Sequence, residues 1–157
     1  MGTCWIDEFL QDHDRRLRKV QEDAELEAIS VAHADEMFLA LHEQVSRDVA
    51  KYAAASSAPV TFETSASAFL VAHAEFPIFA VEARLDTSYY EGPAIWCREG
   101  RKLCADAVEL FRDCKILIIA HSQDVLCYRM GGEDYATPEK VSEGLLRHLF
   151  ESLAPQF

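Results

Sequence analysis

Glycine and proline are almost missing from the first third of this sequence. Neither occurs between Gly2 and Pro59, although the chain of 157 residues contains 6 glycines and 5 prolines. Inside a helix, glycine costs about 1 kcal/mol and proline about 3 kcal/mol relative to alanine. Their absence predicts that residues 5–55 form one long helix, or two helices that meet around residues 29–35, where Asp35 could cap the second.

Basic charge is also scarce. The chain has 15 basic and 27 acidic side chains, which gives a formal net charge of −12. Such a charge repels phosphate, so it argues against a nucleic-acid partner. Asp7 and Glu8 stand where a secretory signal needs a basic region, and no apolar run approaches the about 20 residues that span a bilayer. We therefore expect a cytoplasmic protein without a membrane or nucleic-acid partner.

Sequence motifs for catalysis, metal binding and phosphate binding are missing as well. The six histidines form no His-x-x-x-His pair, and the five cysteines lack the close spacing of a zinc knuckle or a redox pair. We expect free thiols, no cofactor, no metal ligand and no catalytic residue. Cys104, beside Arg101 and Lys102, is a candidate reactive thiol, with ordinary packing as the alternative.

A seven-residue repeat occupies the stretch without glycine and proline. Its main row is Leu10, Leu17, Ala24, Val31, Phe38, Val45 and Tyr52. Its companion row, in which three of six residues are polar, is His13, Val20, Glu27, Ala34, Leu41 and Asp48. The repeat is typical of a helix that packs along a stripe. We expect the helix from Val31 onward to cover the protein's own sheet, and the portion from Trp5 to Leu26 to reach a partner.

The N-terminal end of this helix carries the residues that we predict to form an interface. Large apolar side chains are concentrated there, and such a cluster is rarely left in water. The predicted interface residues are Trp5, Ile6, Phe9, Leu10 and Leu17.

Beyond a linker at residues 55–59 the apolar period changes from seven to two. Alternation predicts strands at residues 60–64, 68–76, 78–85, 94–98, 115–121 and 125–130, and helical spacing predicts a short helix at 101–114. Thr137 and Pro138 begin a C-terminal amphipathic helix that Pro155 ends. The predicted fold is a single α+β domain, 1–157. A long N-terminal helix precedes an antiparallel sheet of about 5–6 strands, and the C-terminal helix packs on that sheet; residues 59–157 form the sheet and its helices.

Two groups of residues after the linker are candidates for chemistry. His73 and His121 each lie in an apolar strand and could meet, with Cys127 or Glu75 nearby, as a metal or acid–base site. The alternative is that each histidine makes one hydrogen bond at the rim of the core. The aromatic residues Tyr89, Tyr90 and Trp96 either line a pocket or interface or cap the end of the sheet.

The layout of the chain resembles that of small uncharacterised bacterial α+β proteins. The likeness rests on the element order, the Phe-Pro-Ile-Phe step at 76–79 and the Thr-Pro-Glu-Lys-Val-Ser-Glu-Gly-Leu-Leu segment at 137–146. It implies no catalytic residues. Size, acidity and the terminal amphipathic helix are also similar to those of acidic secretion chaperones, which implies dimerisation around an unfolded client.

Three functional hypotheses follow. The first is a non-catalytic protein–protein interaction or assembly module, homodimeric through the long helix. The second is a small-ligand-binding protein or enzyme with a pocket between sheet and helices. The third is an acidic client-binding chaperone.

Overall fold

A computed structural model of the protein describes residues 4–75, 78–104 and 107–153. Its elements are, in chain order, α1 (Trp5–Ser56), β1 (Val60–Ser65), β2 (Ala68–His73), β3 (Ile78–Asp86), β4 (Ala94–Cys104), β5 (Ala107–Ala120), β6 (Leu126–Met130), β7 (Glu133–Tyr135) and α2 (Pro138–Leu153). The strands form one antiparallel sheet in the order in which they follow along the chain. This confirms the α+β class and the long N-terminal helix; the described sheet has seven strands instead of the predicted 5–6.

The prediction of a short helix at residues 101–114 is wrong, because the described residues of this stretch belong to the two longest strands of the sheet. β4 continues through Lys102 because it pairs with β3 along its length, from Asp86↔Ala94 to Ile78↔Lys102. β5 then pairs back along β4. Apolar residues at helical spacing were therefore a coincidence, and non-local strand pairing overrode the local pattern.

The strand β7 was not predicted, although a turn signal precedes it. Gly131 and Gly132 have positive φ angles of 62° and 81° and connect the paired residues Met130 and Glu133. Two consecutive positive φ angles are what a two-residue type I′ hairpin needs, and glycine adopts them without strain. This hairpin places Asp134 directly opposite Arg129.

α1 is one continuous helix of 52 residues, so no break occurs around residues 29–35. Its buried residues are Ser30, Ala34, Phe38, Leu41, Val45 and Val49. They recur every three or four positions, as one face of a helix requires, and the helix uses this face to cover the sheet. The Phe38 ring stacks at 5.7 Å on Phe69 of β2, and the Tyr128 hydroxyl of β6 donates a hydrogen bond to the Met37 carbonyl at 2.6 Å. The second half of the helix thus covers the sheet, as predicted.

α2 completes the helical layer beside α1. The ring of Phe150 in α2 stacks on Tyr52 of α1 at 3.8 Å. The Ser142 hydroxyl of α2 donates a hydrogen bond to Asp48 of α1 at 2.6 Å. The buried residues of α2 are Val141, Ser142, Leu145, Leu146 and Leu149. The predicted Pro155 end lies outside the described residues. None of the helices in the described ranges is sufficiently long and apolar to pass through a bilayer.

Candidate functional site

The first half of α1, residues 5–29, extends away from the rest of the protein; we call it the arm. None of its residues is buried, and only Leu26 and Ile29 are partly covered. At 1.5 Å per residue the arm is about 38 Å long. The helix enters the body at Ser30, whose hydroxyl accepts a hydrogen bond from the Ala120 amide at 2.9 Å.

The five predicted interface residues all lie on the arm and are all exposed. Their exposed fractions are 72% for Trp5, 47% for Ile6, 59% for Phe9, 51% for Leu10 and 56% for Leu17. Sequence reasoning left out Val20, which is 66% exposed. The sequence does indicate this residue, because Val20 belongs to the companion row of the repeat. A concentration of large apolar side chains in water marks a surface that other molecules cover.

Four of the six large exposed apolar residues of the arm follow the two rows of the seven-residue repeat, namely Ile6, Leu10, Leu17 and Val20. We call the part of these two rows between residues 6 and 31 the seam. It consists of Ile6, Leu10, His13, Leu17, Val20, Ala24, Glu27 and Val31. Six of these eight positions are apolar, and Val31 is 45% exposed. The partly covered Leu26 and Ile29 lie on the other side of the helix, so the seam faces away from the body's contact with the arm.

Charge divides the arm into three parts. Basic residues occur only in its middle, at Arg15, Arg16, Arg18 and Lys19. Four acidic residues precede them and four follow them. The net charge of the arm is therefore −4, which is unfavourable for an anionic lipid surface. Arg16 and Asp23 border the seam directly, whereas Arg15, Arg18 and Lys19 lie on the outer side.

The structure does not bring His73 and His121 together. His73 ends β2 and His121 follows β5, and two strands of the sheet lie between them. Three strand spacings separate the two strands by about 14 Å. Of the two alternatives for these histidines, the one in which the imidazoles meet is therefore wrong.

His121 instead meets the other predicted neighbour, Cys127, together with a carboxylate. Its Nε2 lies 3.3 Å from the Cys127 Sγ and 2.8 Å from the Asp134 Oδ2. Arg129 donates two hydrogen bonds to the same carboxylate, at 2.7 and 3.1 Å. The hydrogen bond from Arg129, supported by that from His121, lowers the pKa of Asp134 to about 2. Sequence reasoning missed Asp134 because it missed β7.

A buried carboxylate lies on the side of the sheet that faces α2. Glu99 of β4 is only 3% exposed, and its Oε1 lies 2.5 Å from the Nδ1 of His148. Its Oε2 lies 3.0 Å from Arg112 of β5. Arg112 also donates to the Gly144 carbonyl at 2.9 Å, so the group joins the sheet to α2. Sequence reasoning missed it because Arg112 was assigned to a helix.

The predicted aromatic group lies on the outer side of the sheet. The rings of Tyr89 and Trp96 meet edge to face at 5.1 Å, and Lys115 donates to the Tyr89 hydroxyl at 3.1 Å. Glu91 accepts a second hydrogen bond from the same ammonium at 2.8 Å. Tyr90 remains 81% exposed. The cluster ties the β3–β4 loop to the strands.

Two cysteines face each other across β4 and β5. Cys97 is buried and pairs in register with the partly covered Cys114. Cys4 is exposed at the start of the arm. The side chain of the predicted candidate Cys104 lies outside the described part of the chain.

Comparison with known proteins adds no relative: no family, no curated protein and no solved structure matches this chain.

Proposed function

We propose that this protein is a non-catalytic assembly module that forms a homodimer through its arms. The observation that carries the proposal is the apolar seam, which lies on the part of α1 that extends beyond the body of the protein. The interior of the protein also favours an assembly module over a ligand-binding protein or enzyme. The space between the helices and the sheet is filled by buried apolar side chains such as Phe69, Ile95 and Ile118.

The occupant that fits the seam is a second copy of the same arm. Helices with apolar residues every three and four positions pack along their length in pairs. Full burial of a Val, Leu or Ile side chain contributes about 1.5–3 kcal/mol. Each seam offers five such side chains, Ile6, Leu10, Leu17, Val20 and Val31. Together they are sufficient to offset the about 4–15 kcal/mol that association costs.

Charge favours an antiparallel arrangement of the two arms. In antiparallel pairs the residues of one row pack against the companion row, so Leu17 of each chain lies opposite Val20 of the other. Arg16 then lies beside Asp23 of the other chain, and the two-fold symmetry creates this attractive pair twice. A parallel pair would instead place Glu27 against Glu27, and this pair of like charges costs energy.

The antiparallel register also matches the length of the arm. It places Trp5 level with residue 32 of the other chain, immediately after the point where that helix enters its body at Ser30. The overlap therefore uses the complete arm and brings its first residues level with the other protomer's body.

Sedimentation of a seam variant tests the association. We expect the protein to sediment as a dimer at micromolar concentrations and Leu17→Glu to weaken the dimer at least about 30-fold, equivalent to about 2 kcal/mol. Gln11→Glu is the matched control, because it adds the same charge on the outer side of the arm. A chain that remains monomeric at these concentrations would contradict the proposal.

A charge exchange tests the orientation. Arg16→Glu should weaken the dimer by placing two acidic side chains together, and adding Asp23→Arg to it should restore association. In a parallel pair Arg16 lies beside Gln21, so the second substitution would bring no recovery.

A distance measurement provides an independent check of the orientation. A spin label on the exposed Cys4, in a variant whose other cysteines are alanine, should report a separation of about 44 Å along the axis of the pair. A parallel pair would bring the two labelled helix ends to about 10 Å between helix axes.

A further inference from the structure

Three side chains that can ligate a metal lie on the side of the sheet that faces away from the helices. Tyr128 of β6 faces the helices, since its hydroxyl bonds to the Met37 carbonyl of α1. Side chains alternate along a strand, so Cys127 and Arg129 face the other side. His121 follows β5, and Asp134 of β7 lies opposite Arg129, so the three hairpin-connected strands bring the donor groups together.

Three side chains converge there with one donor atom each. The His121 nitrogen, the Cys127 sulfur and an Asp134 oxygen all lie within 4.8 Å of one another. The nitrogen is 2.8 Å from the oxygen and 3.3 Å from the sulfur. Tetrahedral zinc, with bonds of about 2.0–2.3 Å, places nitrogen and oxygen about 3.4 Å apart, and nitrogen and sulfur about 3.6 Å apart. Outward shifts of a few tenths of an ångström would therefore make room for an ion.

The donor set selects the class of ion. A thiolate and an imidazole suit zinc and similar transition-metal ions, whereas magnesium and calcium prefer oxygen ligands only. Cys127 is 4% exposed, which shields the sulfur, while His121 and Asp134 reach the surface and leave a path for entry.

Arg129 holds the carboxylate in place for such an ion. It donates to both oxygens of Asp134, and a carboxylate oxygen can accept from Arg129 with one lone pair while it offers the other to a metal. Partners of this kind orient ligands in known metal sites. The carboxylate is thus already fixed in orientation before any ion arrives.

We propose that His121, Cys127 and Asp134 bind one zinc-class divalent ion, with a fourth coordination position open to solvent. The Cys127 thiol gives its proton to solvent when the sulfur binds the ion, and no electron is transferred. The open position accepts water or a donor atom from another molecule. This inference is independent of the arm and of dimerisation.

Cobalt binding to the full chain tests the proposal, because a cobalt–thiolate bond has its own charge-transfer absorption. After treatment with a chelator, the protein should bind one equivalent of Co²⁺ per chain with this absorption, and Zn²⁺ should displace it. Cys127→Ser should abolish the absorption. Asp134→Asn, at a surface position, should weaken binding at least about tenfold while the circular dichroism stays unchanged.

Cys114→Ser is the matched control, since it removes a thiol that packs against the core on the opposite, helix-facing side of the sheet. It should leave stoichiometry and absorption intact. The proposal is overturned if one equivalent of Co²⁺ gives no thiolate absorption. It is also overturned if the absorption survives Cys127→Ser or affinity is unchanged in Asp134→Asn.

Discussion

At the scale of single residues, Cys97 and Cys114 differ in acidity although they are partners in the same strand pair. A hydrogen bond from Cys97, with the charge of Arg112 nearby, lowers the pKa of Cys114 to about 7 despite partial burial. The same hydrogen bond and burial raise the pKa of Cys97 well above its usual value. One thiol is therefore available as a thiolate near neutral pH, and the other stays protonated.

Alkylation of Cys114 should follow this difference. Only the thiolate reacts, so the rate at Cys114 should rise with pH around a midpoint near 7. Cys97→Ala removes the donor that stabilises the thiolate, so the midpoint should move to higher pH. Peptide mass spectrometry after iodoacetamide pulses measures both profiles. An unchanged midpoint in the variant would contradict the role of Cys97.

Gly100 is required by a close approach of two backbones. An added Cβ there would lie 2.8 Å from the Glu109 carbonyl oxygen, at a register shift between β4 and β5. Gly100→Ala should lower the free energy of unfolding by about 1–3 kcal/mol, as overpacking does. Urea unfolding measures this change.

Gly144→Ala is the control for Gly100→Ala. Its Cβ would meet only the end of the flexible Met130 side chain, and alanine raises helix propensity. We expect a smaller loss than for Gly100→Ala, or a gain. A greater loss at Gly144 would show that the interpretation of the strand contact is wrong.

At the scale of elements, the sequence predicted what depends on neighbouring residues. The missing glycine and proline before Pro59 are a local property, and α1 runs unbroken through that stretch. The ends of β4 and β5 depend instead on pairing with β3 and with each other, which no local pattern contains. The same limit applies to the candidate sites. The arm could be found from its repeat, whereas Asp134 reaches His121 only through three paired strands.

Ser30 marks the boundary between arm and body within α1. Its hydroxyl accepts from the buried Ala120 amide and donates to the Leu26 carbonyl at 3.0 Å. Ser30→Ala leaves that amide without this acceptor, which should cost about 1–3 kcal/mol of unfolding free energy. Hydrogen exchange at Ala120 should become faster in the variant.

Ser56→Ala is the matched control for this boundary. Ser56 makes the same kind of bond, to the Tyr52 carbonyl four residues earlier, but at an exposed site. Its loss should change stability by less than about 0.5 kcal/mol. Equal effects at both serines would mean that the hydrogen bond from the Ala120 amide to Ser30 does not contribute to the free energy of unfolding.

At the scale of the whole molecule, the body contains the core, and the arm carries the surface that we propose for association. The core contains residues of α1 from Ala34 onward, of the sheet and of α2, and no residue of the arm. The arm therefore contributes little to the stability of the body. Its exposed apolar side chains form the surface that we propose a second chain covers.

Removal of residues 1–25 tests this division between body and arm. The shortened chain keeps Ser30 and every buried residue of α1, so we expect the near-ultraviolet circular dichroism and cooperative unfolding of the body to persist. It loses most of the seam, so it should sediment as a monomer at concentrations where the full chain is a dimer. A shortened chain that still forms dimers would locate the interface on the body. Loss of folding in the shortened chain would instead mean that the arm stabilises the body.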